Sequence, residues 1–549
     1  MGNNKNSKSS NFIVQGGILA IAGIIARFIG LIYRVPMQRT IGDAGMGYYS
    51  ASFQIYSLML IISSYSLPVA VSKLVAGYVA RDQFKNAKKI YRCSLLFATI
   101  TGGATCLLVF FGADFLAGTL MNLPKSAIAL RVLAPTLLVV AIMGVMRGFF
   151  QGMGTMVPTA TSQLVEQIIN AIVSVGAAII LFNYGTGVAG LLRDEEYASA
   201  YGAAGGTLGT SIGAVAGLIC LFIVYLFTKR DFNYNVRHDD TRSSETFGRM
   251  FIALVITVLP VLLSTTIYNI SDTLDQGIFN HIMDSKGLMD LKAEHWGMYS
   301  TKYKVLTNVP VALASAVCSS MMPSLTGCIK REDYKNAKRK VSLAMRFTMI
   351  LSIPCAVGLA VLGKPIISLL FHGEVEMPAN MLKMGSIAVV FYAMSTLSNG
   401  VLQGIDKLNI PVRNAAIALV LHLGILYVSL ETFNLGLYGV VLSCVMFAFI
   451  MCVLNWMSIK RHLRYKQEMT RTFGIPLFAS AIMGVIAFLC NLILTNFLPA
   501  SISLLVTIGV SVIVYFVLLI KFGGVREKEI RSFPGGNMMA NVARAMRLL

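Results

Sequence analysis

Fourteen stretches of about twenty apolar residues, joined by short polar connections, limit what this 549-residue chain can fold into more than any other feature. A hydrocarbon core about 30 Å thick is crossed by a helix of roughly 20 residues, whose backbone groups are satisfied within the segment itself. The stretches run roughly 12–33, 47–70, 91–112, 128–150, 159–182, 203–228 and 249–272, then 298–323, 341–362, 381–403, 410–430, 436–459, 473–496 and 499–521. A membrane β-barrel is excluded, because its strands take about 10 residues of alternating polarity. The expected class is an all-α polytopic membrane protein. Composition agrees, with 56% hydrophobic and only 13% charged residues, far from the balance of a soluble domain.

The chain also repeats itself. Arg81-Asp82-Gln83-Phe84-Lys85-Asn86-Ala87-Lys88-Lys89 returns 250 residues later as Arg331-Glu332-Asp333-Tyr334-Lys335-Asn336-Ala337-Lys338-Arg339. In the same register Gly47, Tyr49, Ser50 and Gly77 fall on Gly297, Tyr299, Ser300 and Gly327. Six stretches separate the two copies, and an even number gives both halves one orientation. The halves are therefore parallel repeats, the arrangement of transporters whose two lobes rock about a central site. The expected organisation is an N-lobe (1–228), a cytoplasmic linker (229–248), a C-lobe (249–459), and two further helices with a tail (460–549). Other offsets relate Gly148-Phe149-Phe150-Gln151-Gly152 to Gly400-Val401-Leu402-Gln403-Gly404, and Tyr201-Gly202 to Tyr438-Gly439. Gly148, Gln151, Gly152, Gly400, Gln403 and Gly404 are either helix ends with a turn glycine or a cytoplasmic hinge or gate.

The net charge of +21 is topological in origin. With the N-terminus inside, the inward connections and tails hold 33 of the 46 Lys and Arg but only 11 of the 25 acids. That positive-inside bias places both termini in the cytoplasm and removes the case for a nucleic-acid partner. The nine cysteines contain no CxxC pair, and no HExxH, Walker or GxSxG pattern occurs, so no metal site, cofactor or nucleotide site is expected. The first apolar stretch carries Arg27 with no small-residue cleavage site behind it and reads as a retained helix. No connection exceeds about 25 residues, which leaves no room for a soluble catalytic domain. The candidates for a membrane-embedded enzyme are Asp284, Asp290, Glu294 and His295 in the connection before the eighth stretch, and they read more simply as a solvated link.

Ionisable residues inside a membrane span are costly and point to function. Arg27 lies inside the first span, and Arg34 follows two helical turns later on nearly the same face. Gly16, Gly23 and Gly30 recur at the same spacing of seven and would admit another helix backbone. Arg39 and Asp43 come just beyond Pro36, where the helix is expected to end or kink. Guanidinium groups at successive depths suit phosphate, which accepts their paired hydrogen bonds; the alternative is that Arg34 and Arg39 snorkel to the outer surface. Lys302 and Lys304 stand two residues apart, so one of them faces a central cavity. Glu166 is either a proton or cation site or the buried partner of an arginine, and Asp272 is a second coupling candidate. The cavity these residues imply is cationic, and its cargo anionic.

Six plus six plus two spans, with Arg27-Phe28-Ile29-Gly30 and Tyr33-Arg34-Val35-Pro36 in the first, resemble a known group. The segments Ile41-Gly42-Asp43-Ala44-Gly45-Met46-Gly47-Tyr48-Tyr49 and Leu67-Pro68-Val69-Ala70-Val71-Ser72-Lys73 extend the likeness. The chain is similar to the polysaccharide-transport branch of the multidrug/oligosaccharidyl-lipid/polysaccharide exporter superfamily, nearest the MurJ-like and stage V sporulation protein B-like members. The resemblance implies a monomeric flippase of the bacterial plasma membrane, moving a polyprenyl-pyrophosphate-linked glycan by alternating access. For MurJ-like members that cargo is lipid II. It implies that Arg27 is the first cavity arginine, that Arg34 stands one residue later than the second, and that the last two helices form a groove for the polyprenyl tail. The family also uses an arginine in its second helix; none lies between Gly47 and Pro68 here, and Lys302 or Lys304 is the candidate to supply that charge. Membrane potential or an ion gradient, sodium or proton, would drive transport. Flippases for other lipid-linked glycans and drug antiporters of the superfamily are the alternatives.

Overall fold

The computed structural model describes residues 18–19, 21–239 and 245–525. Segments 1–11 and 526–549, assigned above to the cytoplasm, and Gly16 lie outside the described residues. Within them the secondary structure is helical, without a strand. Twelve helices are long and apolar enough to cross a membrane, and two shorter apolar helices, Ile21–Ile32 and Phe247–Leu259, fall in the first and seventh expected spans. Contacts divide the chain into two units, Met1–Ser300 and Thr301–Leu549.

The first unit contains α1 (Ile21–Ile32), α2 (Arg34–Leu60), α3 (Leu67–Val79), α4 (Phe84–Phe111), α5 (Ala127–Gly152), α6 (Val157–Leu192), α7 (Glu196–Arg237), α8 (Phe247–Ser285) and α9 (Lys292–Gly297). The break expected at Pro36 is placed differently. A single turn residue, Tyr33, separates α1 from α2, Pro36 sits in the first turn of α2 where a missing N–H costs little, and the chain bends at Gly42 (φ 71°, ψ −178°). Gln38 Nε2 donates to Asp43 Oδ1 across this bend at 2.9 Å.

Lipid-embedded helices gain little by burying apolar surface against each other and associate instead where small residues let backbones approach. Gly205, Gly209, Gly213 and Gly217 make one such face along α7. An added Cβ at these positions would meet Ala177 O at 2.3 Å, Ser174 Oγ at 2.1 Å, Glu166 O at 2.7 Å and Met143 Sδ at 3.2 Å, so three of the four seat α7 antiparallel against α6. The glycines of the first span do not work this way. Gly23 has nothing within 4 Å of an added Cβ, and Gly30 meets only Gln167 Oε1 at 3.8 Å.

The closest approach joins the two copies of the repeat. A Cβ on Gly47 of α2 would lie 1.9 Å from the carbonyl oxygen of Ala293, and one on Gly297 of α9 would lie 1.8 Å from that of Asp43. Positions 43 and 293, like 47 and 297, are 250 apart. Each copy therefore offers the other the same contact, as a twofold crossing requires.

The second unit contains α10 (Lys304–Lys330), α11 (Tyr334–Leu370), α12 (Glu376–Gly385), α13 (Ile387–Gly404), α14 (Asn409–Glu431), α15 (Leu437–Leu463), α16 (Ile475–Leu494) and α17 (Ala500–Lys521). Buried amides tie three of them together: Asn414 Nδ2 donates to Asn455 Oδ1 at 3.0 Å, and Asn455 Nδ2 to Asn399 Oδ1 at 2.7 Å. Arg346 on α11 donates from Nη2 to the carbonyl oxygen of Gly524, just past α17, at 2.6 Å.

Both copies of the nonapeptide begin with the same turn. Tyr78 O accepts from the amides of Arg81 and Gln83, each at 3.0 Å, and Cys328 O from those of Arg331 and Asp333 at 3.2 and 2.9 Å. Asp82 (φ 57°) and Glu332 (φ 58°) share the left-handed conformation that closes a helix C-terminus. The Gly-x-x-Gln-Gly segments also correspond. Gly148 and Gly152 of α5 receive Pro68 and Val75 of α3, while Gly400 and Gly404 of α13 receive Cys318 and Leu325 of α10. Pro68 and Cys318, and Val75 and Leu325, are again 250 apart, so these glycines form equivalent packing faces in the two units.

Gly297→Ala is expected to destabilise the protein by about 1–3 kcal/mol through overpacking at the crossing, read as an earlier thermal transition in detergent. Gly327→Ala, with nothing within 4 Å, is expected to leave that transition unchanged or raise it.

Candidate functional site

Apolar helices position the charged candidates, and the structure separates them by environment. Arg27 is exposed on α1 and makes no ion pair among the described residues. Arg34, at the first position of α2, lies beside the hydroxyls of Tyr33 and Tyr49, which are 3.3 Å from each other. Its Nε is buried without an acceptor among the described residues. The turn at Tyr33 interrupts the helix between the two arginines, so the spacing of seven does not give them like surroundings.

Arg39 is exposed, whereas Asp43 is 7% exposed and committed to Gln38. Lys302 is 0% exposed, and its ammonium donates to the carbonyl oxygens of His372 and Glu374, both at 2.8 Å. It fastens the connection between α11 and α12. A cation so held is not available to a ligand as long as that connection stays in place. Lys304, two residues on, is half-buried.

Glu166 resolves toward one of its two readings. Arg147 on α5 donates from Nη2 to Glu166 Oε2 at 2.8 Å and from Nε to Ser162 Oγ at 3.1 Å. The two side chains are 17% and 19% exposed. Arg147 falls at the inner end of the fourth expected span (128–150) and was not singled out there; α5 continues to Gly152 and carries it beside α6. The spacing of nineteen residues across a helix hairpin was the signal available.

Asp272 is half-buried on α8 and heads a stripe with a period of four: Asp272, Gln276, Asn280 and Asp284. Gln276 and Asn280 are fully buried. Asn280 Nδ2 donates to Met121 O at 2.6 Å, and Trp296 Nε1 donates to Ser50 Oγ at 3.2 Å. Gln276 Nε2 and Asn280 Oδ1 have no partner among the described residues. Periodicity alone would have found this stripe.

Of the residues considered for a membrane-embedded enzyme, Asp284 is engaged in hydrogen bonds and an ion pair. Asp284 accepts from Lys292 at 3.5 Å, and hydrogen bonding from Asn122, aided by Lys292, holds its carboxyl below the usual carboxylate range. A general acid needs the opposite shift. No group of three or more His, Cys, Asp and Glu suited to a metal occurs among the described residues.

A family model described as "Polysaccharide biosynthesis protein" matches residues 13–329, more than half of the chain, and one described as "MatE" matches residues 305–428. A lipid II flippase, MurJ, of Bacillus subtilis (strain 168) is 25% identical, the match covering 96% of this chain and 98% of that one. Stage V sporulation protein B of the same organism is 24% identical over 94% of this chain and 96% of its own. The solved inward closed structure of a lipid II flippase MurJ superposes with a TM-score of 0.62 at 16% identity, covering 92% of this chain and 98% of that one.

Glu166→Gln is expected to strand the Arg147 charge and lower unfolding stability by about 3 kcal/mol. The double change Arg147→Met with Glu166→Leu should recover most of that loss in detergent unfolding experiments.

Proposed function

Because the chain belongs to the polysaccharide biosynthesis protein family, a family of multi-pass bacterial membrane transporters, we propose that it flips a polyprenyl-pyrophosphate-linked cell-wall precursor, lipid II first among the candidates. The observation that carries the reading is Arg34. A guanidinium N–H held away from water without an acceptor is an unstable arrangement by itself, costing about 1–3 kcal/mol. A pyrophosphate oxygen supplies the missing acceptor and a counter-charge together. Arg27, exposed seven residues earlier, is assigned the first encounter with the anionic headgroup, and Arg39 a flanking position. Full-length similarity to a lipid II flippase supports the cargo.

Transport on this reading needs no hydrolysis and draws on membrane potential or a sodium or proton gradient, worth about 2.3 kcal/mol per charge per 100 mV. Arg147 pairs with Glu166, and Asp272, half-buried on α8, is the second coupling candidate. A single chain is proposed to suffice. A flippase for another lipid-linked glycan is the second reading, favoured by the nearly equal similarity to stage V sporulation protein B.

The test is complementation of a host depleted of its lipid II flippase, paired with binding of a polyprenyl-pyrophosphate glycan to purified protein. The intact chain is expected to restore growth. Arg34→Ala should abolish rescue and weaken binding by about tenfold or more, with Arg34→Lys intermediate because it keeps charge but loses the planar fork. An intact, well-expressed protein that fails to rescue would remove lipid II as cargo; rescue by Arg34→Ala would remove the phosphate role.

A further inference from the structure

The two copies of the basic nonapeptide have the same turn but different surroundings: the lysines of the first are engaged by its linker, and those of the second are not. In the first unit the linker after α7 clasps its copy. Asp239 accepts from the Lys85 amide at 2.6 Å, the Asp239 carbonyl from Lys85 Nζ at 2.6 Å, and the Glu245 carbonyl from Lys89 Nζ at 2.5 Å. Lys88 Nζ donates to Asn233 Oδ1 at 2.8 Å, and Tyr78 Oη to Glu245 Oε2 at 2.7 Å. That linker, 229–248, holds four cations and four acids. It adds no net charge to the loop, and its oxygens engage the ammonium groups of Lys85, Lys88 and Lys89.

The corresponding segment of the second unit follows α15, and it is strongly basic where the first is neutral overall. Residues 460–472 hold five cations and one acid. Arg464 (φ 48°) turns the chain, and Tyr465, 5% exposed, packs in one cluster with Ala337 and Val341 of the second copy. Arg464 and Lys466 are thereby added to Lys335, Lys338 and Arg339. None of these five makes an ion pair among the described residues. Of the nearby acids, Asp333 accepts from the Asn336 amide at 3.1 Å and Glu468 pairs with Arg471 at 3.6 Å, leaving Glu332.

We infer that this face of the second unit is a docking surface for anionic phospholipid headgroups. Its depth in the membrane argues for that occupant. Trp456, 40% exposed on α15, carries Lys460 Nζ 5.7 Å from its ring centroid, and exposed tryptophan beside lysine marks the headgroup level of a bilayer. The cations begin one turn beyond it, within a Debye length of about 8 Å or little more. Positive-inside topology accounts for basic residues in both loops; it does not account for the lysines of one loop being engaged by their own linker while the other loop is enlarged by further cations from its own. The second copy is thus the one left open to anionic headgroups.

The experiment reconstitutes full-length protein into mixed phosphatidylglycerol and phosphatidylcholine nanodiscs and measures the lipid retained on extraction. Wild-type protein should enrich phosphatidylglycerol about fivefold at low salt, the factor that one well-placed basic residue supplies, and lose that enrichment in 0.5 M salt. Lys335→Gln/Lys338→Gln/Arg339→Gln should remove most of the enrichment at unchanged melting temperature, and Lys335→Arg/Lys338→Arg should keep it. Lys85→Gln/Lys88→Gln/Lys89→Gln should leave it intact. Equal loss in both Gln variants would reduce the effect to general topology and overturn the inference. So would undiminished enrichment in the folded second-copy variant, including the case where that variant instead loses binding of a poly-glutamate peptide, which would assign the face to an acidic protein.

Discussion

In hydrocarbon an apolar side chain gains nothing by leaving its solvent, so the helices of this chain are held by contact between backbones. Glycine makes that contact. The ladder Gly205, Gly209, Gly213 and Gly217, the face Gly148 and Gly152, its counterpart Gly400 and Gly404, and the crossing of Gly47 with Gly297 all place an added Cβ on a neighbouring atom at 3.3 Å or less. Exposed isoleucines and phenylalanines cover the rest of the helices, among them Ile180 at 67% and Phe227 at 79%, which is the expected surface of a protein whose outside is lipid. The interior is specified by what is small and by a few satisfied polar groups, such as the Asn399, Asn414 and Asn455 chain.

Duplication explains why these contacts come in matched pairs. Gly148 meets Pro68 and Gly400 meets Cys318; Gly152 meets Val75 and Gly404 meets Leu325. The helices are offset by 250 residues in one case and 252 in the other, so a loop changed length while the packing between the helices was kept. Charge did not follow the same rule. The first basic loop is joined by a linker of no net charge that engages its lysines, and the second by one that adds cations. The packing of the duplicated skeleton was kept while the charge around it diverged.

The class of fold was open to reading because a bilayer imposes one length and one composition on every span, and the repeat then set orientation. The structure moved details that depend on helix rotation or on a local backbone conformation. Gly42, not Pro36, bends the chain, since proline in a first turn is harmless and only a glycine enters φ 71° without strain. The close-packing glycines lie at a spacing of four on α7, where α6 approaches them, whereas Gly23 and Gly30 share nearly one face of α1 but have no backbone close to it. Lys302 was a candidate for a central cavity, but its acceptors are the carbonyls of residues 372 and 374, which no local pattern announces. Arg147 sat at the end of an expected span, and its partner nineteen residues on was not connected to it.

The arginines show what sequence and structure each contribute to the candidate site. A guanidinium inside a span has two ways to be tolerated: an internal partner or a ligand. Arg147 has taken the first with Glu166 and Ser162, and Arg346 has taken it with the Gly524 carbonyl. Arg34 has two tyrosine hydroxyls beside it and one N–H left over. A hydroxyl is a weak acceptor for a cation and carries no compensating charge, so the three arginines are not equivalent although the sequence writes them alike. Arg34 is the one of the three with an N–H that finds no acceptor among the described residues, and the proposed phosphate role rests on that difference.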